Sequence, residues 1–253
     1  MEVLIKKYTK ILKGLNTQSF NLMEDKYSGV FLPVPSDEYW RSPIKIMLVG
    51  RETAGWNTEN HKNKIARVLG LIPDITVEQV VEEAVNRYRE HQDKWTPNMK
   101  SRSRFTQYHF LLARKLKLPP KAIVYANLFA WDYDRKSPLL RPDKELQEIA
   151  SVSLRLLATQ IGHLKPDFVI FACGSRTDRF IKCLTNKHLD GFKSLSVTPK
   201  KLWEFESGNS ICFRIAHPRA TSGHKKFREK VIEQIKQAVV HLSCHQKLPG
   251  ESK

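Results

Sequence analysis

The chain has 253 residues, with 43 lysines and arginines against 26 aspartates and glutamates, a formal net charge of +17 at neutral pH. Its 41% hydrophobic content, including five tryptophans and twelve phenylalanines, suffices for a packed core and excludes a mainly disordered chain. No apolar run approaches the roughly 18 residues of a membrane span, and the four cysteines show no CxxC or disulfide-framework spacing. The opening MEVLIKKYTKIL is amphipathic, without the apolar stretch and small-residue cleavage site of a signal peptide. The expectation is a cytoplasmic, monomeric, single-domain protein over residues 1–253, with no membrane partner and no cofactor.

After the amphipathic N-terminal helix, Ile44–Val49 is the first of four short runs rich in β-branched or aromatic residues. Thr76 opens a helix, with Gln79 completing a capping box and Val77, Val80, Val81, Ala84, Val85 and Tyr88 on one stripe. A second helix runs from Phe105 to Leu118 and stops at Pro119-Pro120. Residues 57–118 therefore read as a helical, basic insertion. The run Ile123–Phe129 follows, then a helix over Glu145–Leu164 and the run Phe168–Cys173. Leu202–Glu206 and Ser207-Gly208-Asn209 form a hairpin into the last run, Ile211–Ala216, and a helix over Lys225–Leu242 closes the pattern.

The four runs are apolar on both faces for most of their length, as strands covered on both sides are. Alternating with helices, they predict a three-layer α/β/α fold around a central four-stranded parallel sheet. Ligands of such sheets bind beyond the carboxyl ends of the strands. The residues to converge are then Gly50 to Trp56, Asn127, Gly174 to Thr177, and His217 to Ala220. The charge is segregated as well. No acid occurs from Lys94 to Trp131 or from Ser207 to Arg228, stretches that hold Arg102, Arg104, Arg219, Lys225 and Lys226. Such stretches favour a polyanionic partner, nucleic acid above all, because neutralised phosphates release condensed counterions.

Gly50-Arg51-Glu52-Thr53, Asn127, Gly174-Ser175 and His217-Pro218, in this order at four successive strand ends, resemble the uracil-DNA glycosylase superfamily from Ile44 to the C-terminal helix. The resemblance implies that family's fold and a monofunctional DNA glycosylase, which flips a pyrimidine out of single- or double-stranded DNA and hydrolyses its N-glycosidic bond. Glu52 and His217 would then be catalytic, the acid positioning water and opposing positive charge on the sugar, the imidazole donating to the departing base. Asn127 would read the base edge, with Trp56 or Phe31 stacking on it. Arg51, Gly174, Ser175 and Arg176 would hold DNA together with the basic residues above.

Each residue also has a plainer reading. Asn127 can cap a turn, Glu52 can face a helix dipole, and His217 can bond to backbone. Gly174-Ser175 can be an ordinary turn, and Trp56 and Phe31 can be core.

Two departures from the family pattern bear on substrate and wedge. Ala54 stands where uracil-specific members carry a bulky aromatic against the pyrimidine C5 edge, so a C5-modified base is admitted alongside uracil, including the hydroxymethylated or glucosylated cytosine of phage DNA, which fits antiviral defence as well as repair. Thr221 occupies the wedge position, and Arg219 is the expected wedge instead. The spacing of Cys173, Cys183, Cys212 and Cys244 does not suit an iron–sulfur cluster, and His241, Cys244 and His245 lack further ligands for zinc, so no metal is expected. No strand-end lysine offers a Schiff-base nucleophile. The alternative function is a non-catalytic protein of the same fold that binds DNA or a modified base. A phosphate-handling α/β enzyme lacks its Walker-type or GxGxxG signature.

Overall fold

Strands buried on both faces need apolar residues of both parities, and the four runs meet that demand. The computed structural model describes residues 2–56, 64–96, 99–220 and 223–245, with side chains as far as residue 239. In chain order the elements are α1 (Glu2–Leu12), α2 (Asp37–Arg41), β1 (Ile46–Gly50), α3 (Ile65–Val68), α4 (Val77–Asp93), α5 (Arg104–Leu116) and β2 (Ile123–Asn127). Then come α6 (Asp143–Leu164), β3 (Phe168–Phe171), α7 (Asp178–His188), β4 (Lys193–Thr198), β5 (Leu202–Ser207), β6 (Ser210–Ile215) and α8 (Lys225–His245).

Local chemistry sets several boundaries. The Thr76 side chain and Gln79 cap α4 reciprocally, satisfying two donors that a bare helix end would leave open. Helix α5 ends where Lys117 turns into the left-handed region at φ 56°, just before Pro119-Pro120.

The sheet is six-stranded and mixed, in the order β2-β1-β3-β6-β5-β4. This corrects the expectation of four strands. β1 pairs in parallel with β2 and β3, and β3 with β6. The hairpin β5–β6 turns at Gly208, whose φ of 54° suits a residue without Cβ, and β5 continues antiparallel to β4. The added edge strand β4, Lys-Ser-Leu-Ser-Val-Thr, is exposed along nearly its whole length. Its polar residues and leading lysine suit an edge, where a flat apolar strand would invite pairing with other chains.

Residues alternate between two cores. Met47 and Val49 of β1, with Val124 and Phe171, pack beneath α1, α4, α6 and α7 through Tyr8, Tyr88, Leu157 and Leu184. Ile46 and Leu48, with Ile123 and Ile170, pack against α5 and α8 through Leu112, Val231 and Ile235. Helices thus cover both faces, and each fully buried aliphatic side chain contributes about 1.5–3 kcal/mol. Residues 57–118 are tied into this architecture, since α4 belongs to one layer and α5 to the other; 57–63 and 97–98 lie outside the described residues. Among the described residues no helix is long and apolar enough to cross a membrane.

Candidate active site

The carboxyl ends of β1, β2 and β6 open onto a cavity of about 260 Å³. The loop after β1 lines it with Arg51, Glu52, Ala54 and Trp56, β2 with Tyr125 and Asn127, and the segment after β6 with His217 and Arg219. His91 of α4 and Ser103, Phe105 and Thr106 at the start of α5 close the remaining wall.

Asn127 ends β2 in register with Gly50 of β1. Its side chain is buried, and among the described residues no hydrogen bond of normal geometry reaches either amide atom; the Tyr125 hydroxyl is the polar group beside it and interacts with it. A buried amide left in this state costs about 1–3 kcal/mol, which a ligand edge would relieve. A Cβ on residue 50 would overlap Asn127 Oδ1 and stand 3.1 Å from Phe105, so glycine is what lets the amide and the ring approach. Tyr125, two residues earlier on the same face of β2, packs its ring 5.1 Å from Phe105. Burial pushes its hydroxyl up to about 12, so it stays protonated.

Glu52 is largely buried and engaged: Arg51 Nε donates to both oxygens, at 2.7 and 2.8 Å, and Ser137 Oγ donates to Oε2 at 2.7 Å. The ion pair holds the Arg51 guanidinium protonated against the cost of its burial. Behind this loop sits Asp132, 1% exposed. Its carboxylate accepts from the Thr53 hydroxyl, from Gly55 N–H at 2.8 Å and from Arg135 N–H at 2.9 Å. It latches residues 53–55 onto the segment after β2. Gly55 sits at φ 85°, with Arg135 folded across it so that a Cβ would meet the guanidinium Nε at 3.1 Å.

His217 follows the end of β6 by two residues. Burial, reinforced by Arg51, Arg219 and Arg228, lowers its pKa to about 4, so the ring is neutral at pH 7. Its Nδ1 accepts from the Arg219 backbone N–H at 3.2 Å, which leaves the proton on Nε2. Arg228 of α8 braces the same turn by donating to Ala220 O at 3.1 Å. The imidazole is therefore a fixed, uncharged donor among cations.

The structure thus brings Glu52, His217, Asn127, Trp56, Ala54, Arg51 and Arg219 to one cavity. Phe31 is a correction: it is 1% exposed and packs edge-on behind Trp56, with ring centroids 4.8 Å apart, because the segment before it is buried in the core. Gly174, Ser175 and Arg176 lie off the cavity wall. Gly174, at φ 80°, donates its N–H to Ile215 O at 3.0 Å, beside the His217 backbone, and Ser175 opens a short 3₁₀ turn. Arg102 and Arg104 are exposed on either side of the cavity-lining Ser103. Lys225 and Lys226 are exposed at the start of α8, Lys225 3.7 Å from Glu229. Thr221 and the side chains of His241, Cys244 and His245 lie outside the described residues.

Sequence reasoning missed seven wall and support residues: Tyr125, Phe105, His91, Ser103, Thr106, Asp132 and Ser137. Tyr125 was open to discovery through the strand period of two, since it shares a face with Asn127. The chain matches no protein-family model, and no curated protein is significantly similar to it.

Proposed function

We propose that the protein is a DNA glycosylase of the uracil-DNA glycosylase type, acting on a flipped pyrimidine in the cavity at the ends of β1, β2 and β6. The observation that carries this reading is the pairing of a buried Asn127 amide, which no hydrogen bond of normal geometry fills, with a neutral His217 donor in one small cavity walled by Tyr125, Phe105 and Trp56. The donor and acceptor of an amide suit a pyrimidine edge, and the aromatic wall suits its faces. A single base is about the largest planar group that such a space admits, and a base in a duplex enters only by flipping.

In this reading water attacks C1′ of the sugar, the C1′–N bond breaks, and its electron pair leaves with the base. His217 Nε2–H donates to a carbonyl oxygen of the base as negative charge gathers there, an arrangement that stabilises the transition state more than the ground state. Glu52 faces the developing sugar cation and takes up the proton released by the water, after exchanging one of its present partners for that water. Exposed Arg102, Arg104, Arg176 and Arg219, with Lys225 and Lys226, supply phosphate contacts. Ala54, exposed on the wall, leaves room for a substituent at C5, and His91, Ser103 and Thr106 offer polar groups to it. This favours a hydroxymethylated or glucosylated cytosine as substrate beside uracil, with a role in antiviral defence or repair.

A second reading, a non-catalytic binder of DNA or of a modified base, is favoured by the engagement of both Glu52 oxygens. Glu52→Gln separates the two. Catalysis predicts that alkali-labile abasic sites fall at least about a hundredfold while DNA affinity holds. Wild-type protein that binds modified DNA tightly and leaves no abasic sites would establish the binder.

A further inference from the structure

A second concave site lies at the opposite end of the fold. It is a cleft of about 490 Å³ between α1, α6 and α7. Lys7 and Lys10 reach it from α1, Arg155, Thr159 and Gly162 from one stripe of α6, and His188 from the last residue of α7. Gly162 stands in the final turn of α6, shortly before β3 begins, so the cleft belongs to the amino-terminal edge of the parallel strands. The base cavity belongs to their carboxyl ends.

Charge is the first observation. No acid lines the cleft. The neighbouring lysines are paired, Lys6 of α1 with Glu2 at 2.7 Å and Lys13, just past its end, with Glu78 at 2.6 Å. Lys7, Lys10 and Arg155 make no ion pair among the described residues. Three cations gathered around a hollow repel one another, and a bound anion turns that repulsion into attraction. His188 responds to the same field, its pKa lowered by burial, Arg155 and Lys187.

Shape is the second. Gly162 lies inside a helix, where glycine costs about 1 kcal/mol relative to alanine. Its φ is not in the left-handed region, and a Cβ there would meet nothing within 4 Å. Neither backbone geometry nor packing calls for glycine. What the missing side chain leaves is open space where Gly162, itself exposed, lines the cleft.

We propose that this cleft binds a small polyphosphate anion, held by Lys7, Lys10 and Arg155 beside the open backbone at Gly162. Three cations match a ligand of three to four negative charges, such as a triphosphate group, and the cleft has room for it. Thr159 Oγ1 adds a neutral donor. The proposal does not depend on the glycosylase reading.

Isothermal titration with inorganic tripolyphosphate tests it on the full chain. Lys10→Glu/Arg155→Glu is compared with Lys200→Glu/Lys201→Glu, which makes the same charge change at the exposed turn between β4 and β5. Gly162→Leu fills the open space without altering charge and improves helix propensity, so it folds. The expected result is one site per chain in the wild type. Its Kd rises at least about tenfold in Lys10→Glu/Arg155→Glu and in Gly162→Leu, and less than about twofold in the β4–β5 turn variant. Equal weakening in the two charge variants would overturn the proposal, because attraction would then follow net charge alone. Unchanged affinity in Gly162→Leu, or no binding by the wild type at millimolar ligand, would also overturn it. A short oligonucleotide, titrated in parallel, distinguishes the source of phosphate: if only its binding depends on Lys10 and Arg155, the cleft is a nucleic-acid contact and the small-ligand proposal fails.

Discussion

The absent side chain of Gly50 and the amide of Asn127 compete for one volume. The two residues are register partners across β1 and β2, and a Cβ on the first would overlap Oδ1 of the second. The position of the Asn127 amide is therefore set by its neighbour strand. Gly50→Ala should push Asn127 or Phe105 aside, lowering stability by about 1–3 kcal/mol. Base release should fall far more than that loss of fold accounts for. Thermal unfolding and single-turnover release on the same variant check both halves.

Asn127 itself should behave differently. Because no hydrogen bond of normal geometry holds its buried amide, with only the Tyr125 hydroxyl beside it, Asn127→Ala should leave the thermal midpoint little changed. Base release should drop by about a hundredfold or more, as for a site that loses its hydrogen bonds to substrate. A variant that unfolds at markedly lower temperature would show that the amide serves the fold instead.

Asp132 is a positioning residue. Its carboxylate joins the Thr53 hydroxyl, the Gly55 N–H and the Arg135 N–H, so Asp132→Ala should cost about 2–3 kcal/mol in denaturant unfolding. Thr53→Val, which removes only the hydroxyl, should cost about 1 kcal/mol and leave most activity. The ordering of the two variants is the check.

The acid limb of activity should lie unusually low for a histidine. With His217 held near 4, it remains neutral from pH 5 to 8, and base release should show no histidine step near 6.5. The same depression makes the unfolded chain bind more protons between 6.5 and about 4. Stability from this group is thus complete above 6.5 and is lost as pH falls toward 4. Buried His109, whose pKa is also lowered to about 4, adds to that loss. The His217→Asn variant should show a shallower decline in thermal midpoint across this window.

The parallel strands were legible because their burial on both faces writes an unbroken apolar run, and their ends then located Gly50 to Trp56, Asn127 and His217. Strand β4 was not, since an exposed edge carries serines and a lysine where an apolar alternation would be sought. Helix α7 was missed for a similar reason: only Ile181, Leu184 and Thr185 of its eleven residues are buried. In the cavity, Phe105 and His91 come from helices whose approach to the strand ends is a property of packing, not of local pattern. Asp132 left one trace, as the first acid after the long basic stretch from Lys94. Phe31 misled because an aromatic beside Leu-Pro reads equally as a stacking platform or as core, and its neighbours bury it.

The most direct measurement is mass-spectrometric identification of free base released from a panel of DNAs: unmodified, uracil-containing, and carrying 5-hydroxymethylcytosine or its glucosylated form. The account predicts one free pyrimidine, released with an equal number of abasic sites and lost in Asn127→Ala and His217→Ala. Release of no base from any of these DNAs, by protein that binds them, would contradict it.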